Sequence, residues 1–290
     1  GWHLLGLAIT FAVMLFGIQG GIEKMNKVMI PLFYALFLIL AVRVFTLGNA
    51  SAGYRYLFVP DWSALLQVKT WVYALGQAFF SLSLAGTGTV VYGSYLREDQ
   101  DIPASARTIA LFDTLAALLA ALVIIPAVFA YGLDPASGPP LMFITMPTVF
   151  QQMPGGSVFM IVFFVAVLLA ALTSLVNLFE TPIEALQTYF GLGRKPAVGI
   201  VAAVSAAVGV CIEGIVSSWM DVCSIYLCPL GALMAAVMLF WVCGSKYARE
   251  HAQRGAARPL GKWFEPAGKY VFCGVTLLVL VLGILYGGIG

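Results

Sequence analysis

"FFSLSLAGTGTVVYGSY", residues 79–95, places serines, threonines and glycines in the middle of an apolar stretch long enough to enter a bilayer. Inside hydrocarbon, irregular backbone is tolerated only where protein buries it or where it lines a cavity, because lipid cannot hydrogen-bond freed N–H and C=O groups. The weak point is Ala85-Gly86-Thr87-Gly88. A glycine costs about 1 kcal/mol in a helix relative to alanine and opens backbone angles that other residues resist. The stretch therefore predicts a half-helix from about Trp71 to Ser81, irregular backbone near Leu82–Thr87, and a second half-helix from Gly88 to Tyr95. The first half is expected to end on free carbonyls and the negative end of a helix dipole, which suits a cation or an ammonium group. Small residues that let helices pack closely would give the same composition. The segment alone leaves a binding break and a packing device equally open.

The rest of the chain fixes the setting. Hydrophobic residues make up 61% of the 290, charged residues 10%, and mean hydropathy is +0.98, whereas a soluble domain carries about 25% charged residues. A spanning helix needs ~20 mostly apolar residues. That rule predicts an all-α integral membrane protein, a single transmembrane domain over residues 1–290. Its spans fall near 2–18, 22–47, 71–95, 103–133, 157–190, 195–213, 218–244 and 267–289. The apolar blocks are long and do not alternate, which excludes a β-barrel. Lys24, Lys27, Arg97, Arg107, Arg194, Lys195, Lys246, Arg249, Arg254, Arg258, Lys262 and Lys269 fall on alternate loops or helix ends, leaving Arg43, Arg55 and Lys69 opposite. The richer side is read as cytoplasmic, so residue 1 starts outside. The formal charge of +2 is spread over these loops and gives no reason to expect nucleic acid. Gly1-Trp2 opens directly on an apolar run without Met or a basic segment, so the beginning is expected to be missing.

The intramembrane polar residues narrow the chemistry. The five cysteines lack Cys-x-x-Cys spacing and are expected to be buried small hydrophobes. His3 and His251 lie near the membrane surfaces, which leaves no mid-membrane zinc site or Ser-His pair. Asp113 sits inside "TIALFDTLAALLAALVIIPAVF", where a carboxylate costs roughly 2.5–3.5 kcal/mol and marks a functional site or a structural partner for a nearby hydroxyl. Thr173, Ser174, Asn177, Glu180, Thr181, Glu184 and Thr188 share one helical face. That face is expected to wall a water-filled inward path. Oxygen ligands without thiolate or imidazole favour a small hard cation. In the outer loops, "VPDWSALL" predicts a short surface helix. Leu141, Met142, Phe143, Ile144 and Met146 predict a segment that packs back into the protein with a bend at Pro147.

At these residues the chain resembles a known family. In order, "GIEKMNKVMIPLFYALFLILAVRVF", "FVPDW", "GQAFFSLSL…YGSYLREDQDI", "GPPLMFITMPTVF" and "LLAALTSLVNLFETPIEAL" are similar to the bacterial branch of the sodium:neurotransmitter symporters. The resemblance covers nearly the whole chain. It implies part of the inverted-repeat, leucine-transporter-like fold, with its discontinuous helix here at 71–95; such helices around a midplane site are a known trait of the family. It also implies that the chain runs from the family's fourth to its eleventh helix, without the first three or a twelfth. Matched residue by residue, Phe80, Ser81, Ser83, Gly86, Ser174 and Leu178 would surround an amino-acid substrate, with carbonyls near Phe80 and Ser81 receiving its amino group. Ser81 and Asp113 would bind a first sodium ion, and Ala170, Thr173 and Ser174 a second. Asp113 stands where relatives carry Asn, which implies that chloride is unnecessary. Asp221 matches the acid of an outer gate. The acid of the inner gate aligns with Thr188, so that side must close by other groups.

The function so implied is sodium-coupled symport of a neutral amino acid by alternating access. Gly86 leaves room beside apolar Phe80 and Leu178, and no charged side chain aligns there, so the substrate side chain is expected to be large and apolar or aromatic. Two sodium ions and no organic cofactor are expected. The expected partners are the amino acid, the lipid bilayer and the missing N-terminal helices, in a bacterial plasma membrane. Two rivals stand beside it. A membrane remnant that binds partners without transporting would share the motifs. A hydrolase using Ser81, Ser83 or Ser174 would need a mid-membrane base that the sequence does not supply.

Overall fold

The computed structural model describes residues 2–84, 88–135 and 141–286, and every regular element among them is helical. In chain order these are α1 (Trp2–Leu15), α2 (Glu23–Phe45), α3 (Ser51–Phe58), α4 (Val68–Ser81), α5 (Gly88–Ser94), α6 (Ile102–Ala130) and α7 (Met146–Gln152). They continue with α8 (Gly156–Phe190), α9 (Arg194–Cys211), α10 (Val216–Val222), α11 (Cys228–Val237), α12 (Ser245–Ala252), α13 (Phe264–Pro266) and α14 (Cys273–Tyr286). Turns of wider π winding at Cys223–Leu227 and Met238–Val242 continue α10 and α11 as one apolar span, and Ala267–Phe272 joins α13 to α14. Each span predicted from the sequence carries helix. Six are individually long and apolar enough to cross a membrane. Of the other two, α1 is a shorter apolar helix and α4 with α5 is the broken pair. At most 28% of any span's most apolar window is buried within the chain, an exposure of hydrocarbon that water would not tolerate.

The contacts divide the chain into two compact units, residues 1–61 with 114–177, and residues 62–113 with 178–290. In the first, α2, α6, α7 and α8 bury one core. Phe37, Leu40 and Val44 meet Val123, Ala127 and Val128, with Ala50, Met146, Val149, Phe150, Met153, Phe163 and Ala166 in the same cluster. The Phe163 ring centre lies 5.4 Å from that of Phe150 and 6.1 Å from that of Phe37. The outer segment packs back as expected through Met146, with Leu141 and Met142 against the core, but Phe143 and Ile144 remain exposed. It does not bend at Pro147. A π turn over Leu141–Thr145 passes straight into α7, and Pro147 sits in the first turn, where its missing N–H is harmless. Thr10, fully buried in α1, is satisfied within its own helix by the Gly6 carbonyl at 2.8 Å.

In the second unit, Phe79 of α4 packs with Ala232 of α11 and Val279 of α14, its ring stacked on Phe272 at 5.8 Å. A second cluster joins Ala236, Phe240, Ala248 and Cys273. All five cysteines are free, and Cys273 is the one that is buried, so burial accounts for fewer of them than expected. The "VPDWSALL" stretch forms a short 3-10 helix over Trp62–Leu66, and the Trp71 indole N–H donates to the Leu65 carbonyl at 2.8 Å.

The helix break falls where the sequence places it, with α4 ending at Ser81 and α5 starting at Gly88, but the terminator differs. Ser83 adopts φ +54°, the left-handed region. Its N–H donates to the Phe80 carbonyl at 3.0 Å, and the Leu84 N–H donates to the Phe79 carbonyl at 3.0 Å. This paired closure is a Schellman cap, completed by apolar contact between the flanking residues, here Leu84 in the Phe79 cluster. The cap also corrects the expectation of free carbonyls for three of the four that end α4. Ala78 O receives Leu82 N–H at 3.1 Å, and Phe79 and Phe80 are likewise engaged, each keeping one lone pair for another donor. Gly86 lies outside the described residues. A left-handed L-residue costs about 1–2 kcal/mol, and a β-branched side chain fits worse. Ser83→Val is therefore expected to lower the melting temperature in detergent, by about 1–3 kcal/mol of stability, while Ser83→Gly is tolerated. A Val variant that melts with the wild type would refute the capping role.

Candidate functional site

Because α4 stops at Ser81, its last turn faces the polar position of α6. The Ser81 hydroxyl donates to Asp113 Oδ1 at 2.5 Å, and both side chains are half-buried. These are the residues that the family resemblance pairs at a first ion site. The same contact meets the plainer expectation that Asp113 partners a hydroxyl. Chemically, the pair offers a carboxylate and a hydroxyl oxygen, the hard donors that a small cation takes. Beyond the cap, the Thr89 hydroxyl of α5 donates to the Ser83 carbonyl at 3.2 Å, tying the second half-helix to the turn. Phe80 and Leu178, expected to wall the substrate cavity, are 59% and 63% exposed. Ser83 is exposed as well.

The second predicted ion site lies in the other unit, on α8. The Thr173 hydroxyl donates to the Ala170 carbonyl at 2.8 Å, so the side chain is turned back along its helix. The hydroxyl hydrogen is thereby used and the oxygen lone pairs of Thr173 remain able to face a cation, whereas the Ala170 carbonyl, inside the continuous helix, already accepts from the Thr173 hydroxyl and from the Ser174 N–H. Ser174, the next residue, is exposed. Asp221 lies on α10, and its side chain is outside the described residues, as Gly86 is.

A polar cluster on the inner half of α8 went unrecognised in the sequence. Glu180 has no exposed surface. Arg194, in the first turn of α9, grips it with both guanidinium nitrogens, at 2.8 Å to Oε1 and 2.9 Å to Oε2. The Tyr95 hydroxyl, just beyond α5, lies 3.1 Å from Glu180 Oε1 and 2.9 Å from Glu184 Oε2. It carries one hydrogen and donates to one carboxylate at a time. Thr188 donates to Glu184 Oε1 at 2.8 Å. This overturns the reading of Glu180 as the wall of an aqueous path: it is a buried carboxylate with a charged partner. The sequence signals were the carboxylate itself, which is almost never buried alone, and the Gly191-Leu192-Gly193 reversal, with Gly191 at φ +65°, that returns Arg194 to α8. Thr188, aligned with a gate acid, is exposed and serves Glu184 instead.

Compared with known proteins, residues 2–286 match the Sodium:neurotransmitter symporter family. A sodium-dependent transporter of Bacillus subtilis, YhdH, is 44% identical over 178 residues, 61% of this chain and 39% of that protein. A sodium-dependent transporter of Methanocaldococcus jannaschii is 31% identical over 278 residues, 91% of this chain and 56% of that protein. Among solved structures, MhsT in complex with L-phenylalanine matches with a TM-score of 0.85 at 32% identity, over 97% of this chain and 67% of that one. The chain thus spans between 39% and 56% of the length of these two curated relatives.

The cluster supports a direct test. Removing one partner of a buried ion pair leaves an uncompensated charge and costs about 3–5 kcal/mol, whereas removing both costs far less. Arg194→Gln is expected to lower the melting temperature sharply. Adding Glu180→Gln to it should recover most of the loss. Equal melting of the single and double variants would show that the pair is not coupled.

Proposed function

Because the chain belongs to the sodium:neurotransmitter symporter family, we propose that it forms part of a carrier coupling sodium entry to uptake of a neutral amino acid with a large apolar or aromatic side chain. It is a multi-pass protein of the cell membrane, and its family is one of carriers and not of enzymes. The observation that carries the reading is the hydroxyl–carboxylate pair, Ser81 with Asp113, at the end of an interrupted membrane helix. The relative MhsT, bound to L-phenylalanine, supports an amino acid of that size. In this reading Ser81 and Asp113 hold one sodium ion, Ala170, Thr173 and Ser174 hold a second, and Asp221 belongs to the outer gate. Phe80, Ser81, Ser83, Gly86, Ser174 and Leu178 contact the amino acid.

Sodium supplies positive charge that the amino acid carboxylate and the oxygen donors share. Binding is then tight only when ion and solute are both present, so the ion gradient does work on the solute. The chain's own residues set the rest. The Asp113 carboxylate provides a fixed negative charge beside the ion, which offsets its desolvation and removes the need for a chloride ion. The capped end of α4 presents carbonyl lone pairs and a negative dipole end to an amino group. Apolar Phe80 and Leu178 offer nothing to compensate a charged substrate side chain.

Uptake of labelled phenylalanine into proteoliposomes by the full-length protein tests this. Uptake should require sodium, proceed in chloride-free medium, and be lost or become chloride-dependent in Asp113→Asn. Thr173→Val with Ser174→Ala should abolish uptake or its sodium dependence, since two oxygens leave a shell with no water to replace them. Sodium-independent uptake by the wild type, or an Asp113→Asn variant that works unchanged without chloride, would sink the assignment.

A further inference from the structure

The linker between α5 and α6, residues 95–101, is gripped from outside its own span. Asp101 caps α6 by accepting the Ala104 N–H on Oδ1 at 2.9 Å, and its other oxygen, Oδ2, accepts the Ala257 N–H, also at 2.9 Å. Ala257 belongs to the loop between α12 and α13. That loop lies against the linker backbone itself: a β-carbon at Gly255 would collide with the Gln100 carbonyl and the Asp99 main chain. Arg254 adds an ion pair with Glu98 at 3.6 Å. The loop is also braced internally, with Ala256 N–H on the Gln253 carbonyl and Leu260 N–H on the Gln253 side chain, both at 3.1 Å. The Ala257 and Ala104 N–H groups hold the Asp101 carboxyl below its ordinary value. Its grip is therefore present at neutral pH and lost only as pH falls through that lowered value.

A few residues before Asp101, Tyr95 ties the same linker to Glu180 and Glu184. The inner half-helix α5 is short, too short to hold its own position in isolation. Its place is set by what grips its ends.

We propose that residues 253–257 form a strap on the side of the membrane richer in Lys and Arg, whose docking on residues 98–101 fixes the inner half of the broken helix. In the transport cycle, and so resting on the carrier reading above, the strap must slip for α5 to move. The backbone contacts at Gly255 and Ala257 make the docking specific, and the exposed Arg254–Glu98 pair adds little to it.

Two measurements on the full-length protein test it. In the first, Glu98→Cys with Arg254→Cys is joined by a short bis-thiosulfonate reagent. Sodium-dependent uptake should fall by about tenfold or more and return on reduction, while wild type and each single variant, treated alike, keep theirs. A joined carrier working at the untreated rate would overturn the strap. In the second, hydrogen exchange of the amides in 97–104 is compared between wild type, Ala257→Pro, which deletes the donor without touching the linker, and Asp101→Asn, which keeps one acceptor for the cap. Both variants should exchange faster than wild type there, and wild-type exchange in both would overturn the docking. A wild type without sodium-dependent uptake would remove the carrier reading and the slipping with it. The exchange comparison still decides whether the loop holds the linker.

Discussion

Hydrocarbon offers no hydrogen bonds, so a helix that stops inside the membrane must close its own end. In this chain that constraint is met at Ser83, whose left-handed backbone lets two N–H groups turn back onto the Phe79 and Phe80 carbonyls. The rest of the second unit depends on that closure. It fixes where α4 ends, and so brings the Ser81 hydroxyl to the Asp113 carboxylate. It also leaves α5 as a separate short piece that must be positioned by other elements. The strain of one left-handed serine, about 1–2 kcal/mol, is small beside the several kcal/mol that an unsatisfied backbone group costs in lipid.

The second demand is charge. A carboxylate inside a membrane protein needs a partner, and Asp113 and Glu180 are satisfied differently. Asp113 accepts from a neutral hydroxyl, that of Ser81, and in the carrier reading proposed above it holds a cation. Glu180 has a bidentate guanidinium, which cancels its charge and makes it a structural anchor for α9 and for Tyr95. The two acids differ little as sequence. Their partners separate an acid set beside a neutral hydroxyl from one that holds the fold.

This contrast also marks how much the sequence reveals. Apolar runs of membrane length and the clustered small residues around Ser81–Gly88 made the helices and the break readable to within a few residues, because hydropathy and helix cost are local properties. The cap at Ser83 was not readable. Glycine is the usual left-handed residue, which points to Gly86 and Gly88, whereas the left-handed serine is set by the packing of Leu84 and Phe79. Glu180 was readable as a polar face but not as an ion pair, since Arg194 reaches it only through the reversal at Gly191. Asp101 and Ala257 are far apart in the chain, and no local pattern joins them.

Together these contacts constrain how the inner half-helix can move. Thr89 ties its start to the capped turn, Tyr95 ties its end to the Glu180–Arg194 pair, and Asp101 ties the following linker to the loop after α12. None of the three holds by apolar packing. Each is a hydrogen bond through a hydroxyl or carboxylate, which contributes about 0.5–3 kcal/mol, and the one at Asp101 lies on an exposed linker where water can take its place. A helix held by apolar burial would move only by exposing its core face, at a cost scaling with the area uncovered. One held by exchangeable polar contacts at its ends can be released at one end while the other stays in place. That is the mechanical property the carrier reading proposed above requires of this half-helix. It follows from α5 being too short and too polar to bury a core of its own, which is also why the structure records none of its residues as buried.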